Sequence, residues 1–290
     1  MRSKLFVPGS RPELFDKAFA SEADAISIDL EDAVVESQKP QARATVGAWL
    51  QTRVHEQTIK TVIVRVNAMD TPYFLSDIEA VVQAGLNIVN LPKPASVDAV
   101  REACAAIAAA ERRNNIPQAI RVLLNIETPH ALRIATQLAQ ADPRVMGLQV
   151  GLGDLFEPLG IERRDVAAVQ QVLFTVRMAA GEAGIEAFDG AFANIQDTDG
   201  YLAEAQMARR LGFSGKSCIH PSQIVLANQA FRPTDADIAY ALKVIAAVHA
   251  AGNQDLGAFL VDDRMIDLPF IRRAETIIAQ AQQLRLLATI

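Results

Sequence analysis

Eight short apolar runs punctuate the chain, each ending in polar or charged residues and each followed by a stretch of helical period. They are LFVPG (5–9), AISIDLED (25–32), TVIVRVN (61–67), NIVNLPK (87–93), RVLLNIET (121–128), MGLQVGLGD (146–154), IEAFDG (185–190) and GKSCIHP (215–221). Short β-branched runs alternating with longer helical segments predict consecutive βα units joined by right-handed crossovers. A doubly wound open sheet shows the same alternation. The count of eight favours closure, and no G-x-G-x-x-G fingerprint follows the first run. The predicted fold is therefore α/β: a (β/α)8 TIM barrel over residues 1–232. A C-terminal helical arm over 233–290 then packs on the barrel or on a neighbouring subunit.

Local signals place several connectors. Ser10 with Glu13 has the spacing of a capping box, with Pro12 tolerated in the first turn, and Thr234 with Asp237 repeats that spacing at the start of the arm. Residues 71–85 and 95–113 read as helices. The arm ends, in this reading, with a loop and one long helix over GAFLVDDRMIDLPF and beyond.

Composition narrows the class. Half of the 290 residues are hydrophobic, which supports a sizeable core and argues against disorder. A net charge of −6 with no basic stripe argues against nucleic acid. The longest apolar stretches are alanine-rich and broken by charge, so a membrane span is not expected. MRSKLFVPG lacks the core of a signal peptide, and two cysteines, Cys104 and Cys218, make no disulfide framework. A cytoplasmic protein is the expectation.

A parallel barrel builds its active site at the strand C-termini. Those ends carry Glu31, Asp32, Arg65, Asn67, Lys93, Glu127, Asp154, Asp189 and His220, a set suited to a metal and an anion. Glu127 and Asp154 end adjacent runs. Two carboxylates, with other positions left to water and substrate oxygen, are how Mg2+ is usually held, and no HxH or CxxC supports zinc. Equally, each acid can cap the helix that follows it, and spacing alone leaves the two readings level. Arg65 suits capture of a substrate carboxylate, or an ion pair with Glu31 or Asp32, which then orient it at the substrate-binding end. Lys93 can meet an anion or be paired. His220 reads as structural, and His55, His130 and His249 take no role. Asp267, before Leu-Pro, reads from the residues as the cap of the last helix.

Segments along almost the whole chain are similar to the citrate lyase β-subunit-like family of acyl-CoA lyases and aldolases. They are SKLFVPGSRPELFDKAFASEADAISIDLEDAV, PYFLSDIEAVVQAGLNIVNLPK, NIETPHAL, VGLGDLFEPLG, LGFSGKSCIHPSQI and GAFLVDDRMIDLP. The resemblance implies a (β/α)8 barrel in a homotrimer or a multiple of it, with the arm reaching a neighbour. It implies Mg2+ on Glu127 and Asp154, a 2-oxo or 2-hydroxy acid carboxylate on Arg65, and coenzyme A phosphates near Arg11 and Lys17. It also raises Asp267 from a cap to a catalytic acid. The implied reaction is reversible cleavage of malyl-CoA or citramalyl-CoA to acetyl-CoA and a 2-oxo acid, with N–H groups near Gly151 and Gly153 helping to bind. Alternatives are a malyl-CoA-type thioester hydrolase, a citrate lyase subunit acting on an acyl-carrier-protein thioester, a free-acid aldolase, or a non-catalytic binding barrel. Two departures stand out. Pro94, Ala95 and Ser96 follow Lys93 where an acid is usual, and Asp263 precedes Arg264 where glycine is usual.

Overall fold

The computed structural model describes residues 1–53, 60–251 and 258–287; His55 lies outside them. Eight parallel strands close on themselves in chain order. They are β1 (Ser3–Pro8), β2 (Ala25–Asp29), β3 (Thr61–Arg65), β4 (Ile88–Leu91), β5 (Arg121–Ile126), β6 (Val145–Val150), β7 (Glu186–Asp189) and β8 (Gly215–Cys218). β1 pairs with β8 to seal the ring. The intervening helices are α1 (Phe15–Phe19), α2 (Lys39–Thr52), α3 (Phe74–Val81), α4 (Val97–Arg113), α5 (Pro129–Arg133), α6 (Ala135–Ala139), α7 (Leu152–Phe156), α8 (Val166–Glu182), α9 (Thr198–Arg210) and α10 (Ser222–Ala230). All eight runs read from the sequence lie on strands.

The period of two divides each strand between two layers. One face, with Ile26, Ile28, Val62, Val64, Val122, Leu124 and Leu148, joins the helices in the main apolar core. The other face points into the barrel, where Ala25, Ile63, Ile88, Leu123 and Phe188 form a separate apolar cluster. Two residues further along the same faces come Ser27, Arg65, Asn90 and Asn125, followed by Asp29 and Glu127. The interior is thus an apolar plug that turns polar toward the strand C-termini. The charged member of this region without a hydrogen bond is Lys4: 2 % exposed, its Nζ has no hydrogen-bond partner among the described residues. That ammonium lies 5.0 Å from the Phe6 ring centroid.

Helix starts follow ordinary capping chemistry. Ser96, Thr128, Asp165 and Asp197 accept from the N–H three residues ahead, at the starts of α4, α5, α8 and α9. The expected Ser10 box does not form. A short 3-10 turn begins at Pro12 with Arg11 as its cap, no side-chain capping bond is made, and Glu13 pairs with Arg11 instead.

Residues Arg232–Ile290 form a second compact unit. It contains α11 (Asp235–Ala251), β9 (Phe259–Val261), β10 (Arg264–Ile266) and α12 (Leu268–Gln283). Here the capping box is made: Asp237 N–H donates to Thr234 Oγ1 and Thr234 N–H to Asp237 Oδ2. The segment expected to be a loop is an antiparallel hairpin, turning at Asp262 and Asp263 with φ of 47° and 61°. Two left-handed residues match the right-handed twist of a two-residue hairpin, and Asp tolerates that region better than most residues. No helix among the described residues is long and apolar enough to cross a membrane.

Candidate active site

β2 and β3 are in register with Asp29 beside Arg65. The guanidinium donates Nε to Asp29 Oδ1 and Nη2 to Asp29 Oδ2, each at 2.7 Å. Its Nη1 lies 2.8 Å from Glu31 Oε2 and 3.3 Å from Asp32 Oδ2. Burial alone would lower the Arg65 pKa, but the bonds to Asp29 and the charges of Glu31 and Asp32 outweigh it and hold the group above its ordinary value. Glu31 and Asp32 do pair with Arg65, while its principal partner, Asp29, was not singled out in the sequence. The period of two puts Asp29 on the interior face, but the register that sets it opposite Arg65 is a tertiary fact. Asp29 also accepts from the N–H groups of Glu31 and Ala33, so the same carboxylate braces the loop after β2.

Glu127 follows β5 and is 2 % exposed. It accepts from Lys93 N–H at Oε1, 3.0 Å, and from Asn125 Nδ2 at Oε2, 3.3 Å. Asn125 in turn accepts from Asn90 Nδ2 at 2.8 Å, so a polar chain across β4 and β5 supports the carboxylate from below. Burial, aided by the charges of Glu31 and Asp154 and opposed by Arg65 and Lys93, pushes the Glu127 pKa up to about 7. Gly151 makes room for it: a β-carbon there would sit 2.5 Å from both Glu127 Cβ and Oε2. Gly153 has open space around it.

The capping alternative for the two acids fails in the structure. Thr128, not Glu127, caps α5. Gly151 precedes α7, and Asp154 lies within the helix's first turn without any side-chain capping bond. Asp154 is 44 % exposed at its side chain, and Lys93 Nζ stands 3.6 Å from its Oδ1.

Part of this set lines one cavity of about 710 Å3. Asp29, Asp32, Arg65, Asn125, Glu127, Gln149 and Asp154 make its polar end, with Gly151 and Gly153 beside them. Phe6, Ala33, Val150, Leu152, Phe192 and Ile219 make an apolar wall. Phe6 is the floor, with Arg65 Cζ 5.4 Å from its ring centroid. Arg163 and Arg164 also line the cavity, a pair of cations the sequence reading did not mark. Arg163 is held by Glu204 and donates to Ala191 O. Two carboxylates open to one cavity offer the oxygen donors a hard divalent cation takes. Among the described residues no three His, Cys, Asp or Glu side chains form a ready metal group, so such an ion would complete its shell with water or substrate oxygen.

Other strand-end residues lie elsewhere. Asn67 is locked to Asp77 and Leu30 O, and Asp189 is buried in an ion pair with Lys216, 2.6 Å, on the outer side of the sheet. His220 is exposed and shares a hydrogen bond with Ser222. Arg11 is exposed and paired with Glu13, and neither it nor Lys17 lines the cavity. Asp267, in the second unit, stands at the start of α12, yet its side chain makes no capping bond. Its Oδ1 is buried without a hydrogen-bond partner among the described residues.

A family model described as HpcH/HpaI aldolase/citrate lyase matches residues 2–221. The chain is 36 % identical over 285 residues to "Citrate lyase subunit beta" of Haemophilus influenzae, covering 97 % of each. It is 31 % identical over 304 residues to "L-malyl-CoA/beta-methylmalyl-CoA lyase" of Cereibacter sphaeroides, covering 98 % of this chain and 95 % of that one. Among solved structures it resembles protein CitE from Mycobacterium tuberculosis in complex with magnesium, acetoacetate and coenzyme A. The TM-score is 0.76 at 34 % identity, over 97 % of this chain and 100 % of that one.

Proposed function

The chain belongs to the HpcH/HpaI aldolase/citrate lyase family, and from that premise we propose that it is a Mg2+-dependent carbon–carbon lyase acting on a 3-hydroxy-dicarboxylic acyl-CoA thioester of the malyl-CoA or citramalyl-CoA type. The products are acetyl-CoA and a 2-oxo acid. The observation that carries the reading is the meeting of Arg65, Glu127 and Asp154 at the polar end of one cavity with an apolar wall. Magnesium is the group bound by the similar CitE structure, and the all-oxygen pair Glu127 and Asp154 fits it. When bound, Mg2+ supplies Lewis acidity, polarising the substrate hydroxyl and the developing carbonyl oxygen.

The chain's own groups divide the remaining work. Arg65 orients the substrate carboxylate; because Asp29 occupies the Nε–Nη2 edge, Nη1 is the nitrogen offered, shared with Glu31 and Asp32. N–H groups near Gly151 and Gly153 assist in the same role. The substrate hydroxyl releases its proton to solvent and becomes the carbonyl of the 2-oxo acid as the bond between the hydroxyl-bearing carbon and the thioester α-carbon breaks, and the electron pair of that bond passes to the α-carbon as a thioester enolate. Asp267, delivered by the arm of a neighbouring subunit in a homotrimer, gives that carbon a proton, and its conjugate base removes the proton in the condensing direction. The carboxyl oxygen of Asp267 left without a partner supports a role other than capping. Arg11 and Lys17 are assigned to coenzyme A phosphates.

A second reading, a citrate lyase β subunit taking an acyl-carrier-protein thioester, is favoured by the 36 % identity to such a subunit. A Mg2+-dependent assay of a panel of 3-hydroxyacyl thioesters, on coenzyme A and on acyl-carrier protein, decides between them. Acetyl-CoA with a 2-oxo acid supports the lyase. Free CoA alone marks a hydrolase, activity confined to the carrier protein marks the subunit, and inertness with every thioester leaves a binding barrel. Glu127→Gln, Asp154→Asn and Arg65→Ala should each abolish turnover while the protein stays folded by circular dichroism.

A further inference from the structure

Lys93 stands among four of the acids gathered at the strand ends, Glu31, Asp32, Glu127 and Asp154. Its Nζ donates to Glu31 Oε1 at 2.8 Å and stands 3.6 Å from both Asp32 Oδ1 and Asp154 Oδ1. Its backbone N–H donates to Glu127 Oε1 at 3.0 Å. The backbone reaches this position at a cost. Lys93 has φ of 47°, in the left-handed region that a β-carbon disfavours, and it lies between Pro92 and Pro94. Such strain persists only where the surroundings over-determine it. Here the bond to Glu127 fixes the peptide and the carboxylates fix the ammonium. An ordinary surface lysine has neither restraint.

The charges around it are unequal. Asp29, Glu31, Asp32, Glu127 and Asp154 gather about Arg65 and Lys93. Arg65 is committed to Asp29, so Lys93 carries the only other positive charge in reach of Asp154 that the described ion pairs include. Two cations drawn to one carboxylate repel each other, and a lysine on a four-carbon stem can give ground where an arginine fork cannot.

Resting on the Mg2+ reading of Glu127 and Asp154, we propose that Lys93 is a tethered counter-cation that competes with the metal at Asp154 and so sets the metal affinity of the site. Without metal, the ammonium neutralises the acids and keeps the cavity from being pulled apart by like charges. With metal, it gives up Asp154 and keeps Glu31, the nearer partner. Lys93 is a positioning residue in this scheme, and it holds no substrate atom.

The test is Mg2+ titration by calorimetry into the purified full chain, without substrate. Lys93→Gln and Lys93→Met should bind Mg2+ roughly tenfold tighter or better, because a positive charge near the ion has gone. Lys93→Arg should stay near the wild-type affinity. Lys93→Gly removes the charge and relieves the left-handed backbone together, so it keeps the test open if the other variants fold poorly; it too should bind more tightly. The melting temperature of metal-free Lys93→Gln and Lys93→Met should fall and its rise on adding Mg2+ should grow. Affinity within twofold of wild type, or weaker, in Lys93→Gln and Lys93→Gly overturns the proposal. A wild-type chain with no saturable Mg2+ binding instead overturns the metal reading beneath it, a result told apart because it appears before any Lys93 variant is made.

Discussion

Among single residues, Lys4 runs most against its surroundings. Its amine is wholly buried with no hydrogen-bond partner among the described residues, and burial, with Arg65 nearby, holds its pKa well below the ordinary lysine value. Replacing it by an apolar side chain of similar length removes a desolvation cost of about 1–3 kcal/mol, so Lys4→Met should be more stable than wild type in urea unfolding. The pH dependence has a definite sign. The unfolded chain holds this proton up to its ordinary pKa near 10.5, while the native state releases it earlier. Wild-type stability therefore rises with pH across that interval, and the advantage of Lys4→Met should shrink as pH approaches 10.5. A constant difference from pH 7 to 10.5 would show that Lys4 keeps the same charge in both states. Gly151 makes the opposite case, a residue with no side chain because Glu127 needs its space. Gly151→Ala must displace the Glu127 side chain, so, on the Mg2+ role proposed for Glu127, Mg2+ affinity should drop about tenfold or more in titration, with an overpacking cost of about 1–3 kcal/mol in stability.

At the level of elements, the hairpin of the second unit invites a direct check. Asp262 and Asp263 hold both turn positions at positive φ, and glycine suits the second of these best. Asp263→Gly should raise the stability of that unit by a few tenths to about 1 kcal/mol, read from thermal denaturation. The same turn explains a limit of the sequence reading. Phe259–Val261 and Arg264–Ile266 are only three residues long, and Asp-Asp lacks the glycine that announces a two-residue hairpin, so the segment reads as a loop. The barrel strands, by contrast, were legible because runs such as Val-Ile-Val and Val-Leu-Leu combine β-branching with burial on both faces. Ser10 and Glu13 had capping spacing, but Arg11 lay between them and claimed the glutamate, a competition between local partners that spacing does not reveal. In the cavity, Arg65, Glu127 and Asp154 were named from strand ends, where metal or substrate binding stood level with capping and ion pairing until the resemblance was weighed, and Gly151 and Gly153 entered only with the implied reaction. Lys93 was named there too, but its left-handed backbone, the register that sets Asp29 beside Arg65, and the pairing of Arg163 with Glu204 on α9 are not local in the sequence.

For the molecule as a whole, the two cysteines serve as reporters of global opening. Burial pushes the Cys104 thiol up to about 12, with Asp142 adding to it, and pushes Cys218 up to about 11. Neither forms a disulfide in the structure, and both are buried. Native protein at pH 8 should therefore resist a thiol reagent, and labelling should rise through the same urea transition that circular dichroism reports. Rapid labelling of either cysteine in native buffer would contradict their burial. The division of the barrel interior into an apolar plug and a polar upper half has a further consequence for how such a chain can change. Ala25, Ile63, Ile88, Leu123 and Phe188 secure closure at one end of the strands, while the groups that face the cavity stand two or more residues further on. A mutational library confined to exposed positions of the cavity wall, such as Ala33 and Ile219, leaves both the plug and the main apolar core untouched. The scaffold is therefore open to new substrates by drift at its mouth, with folding and selectivity inherited almost as separate traits.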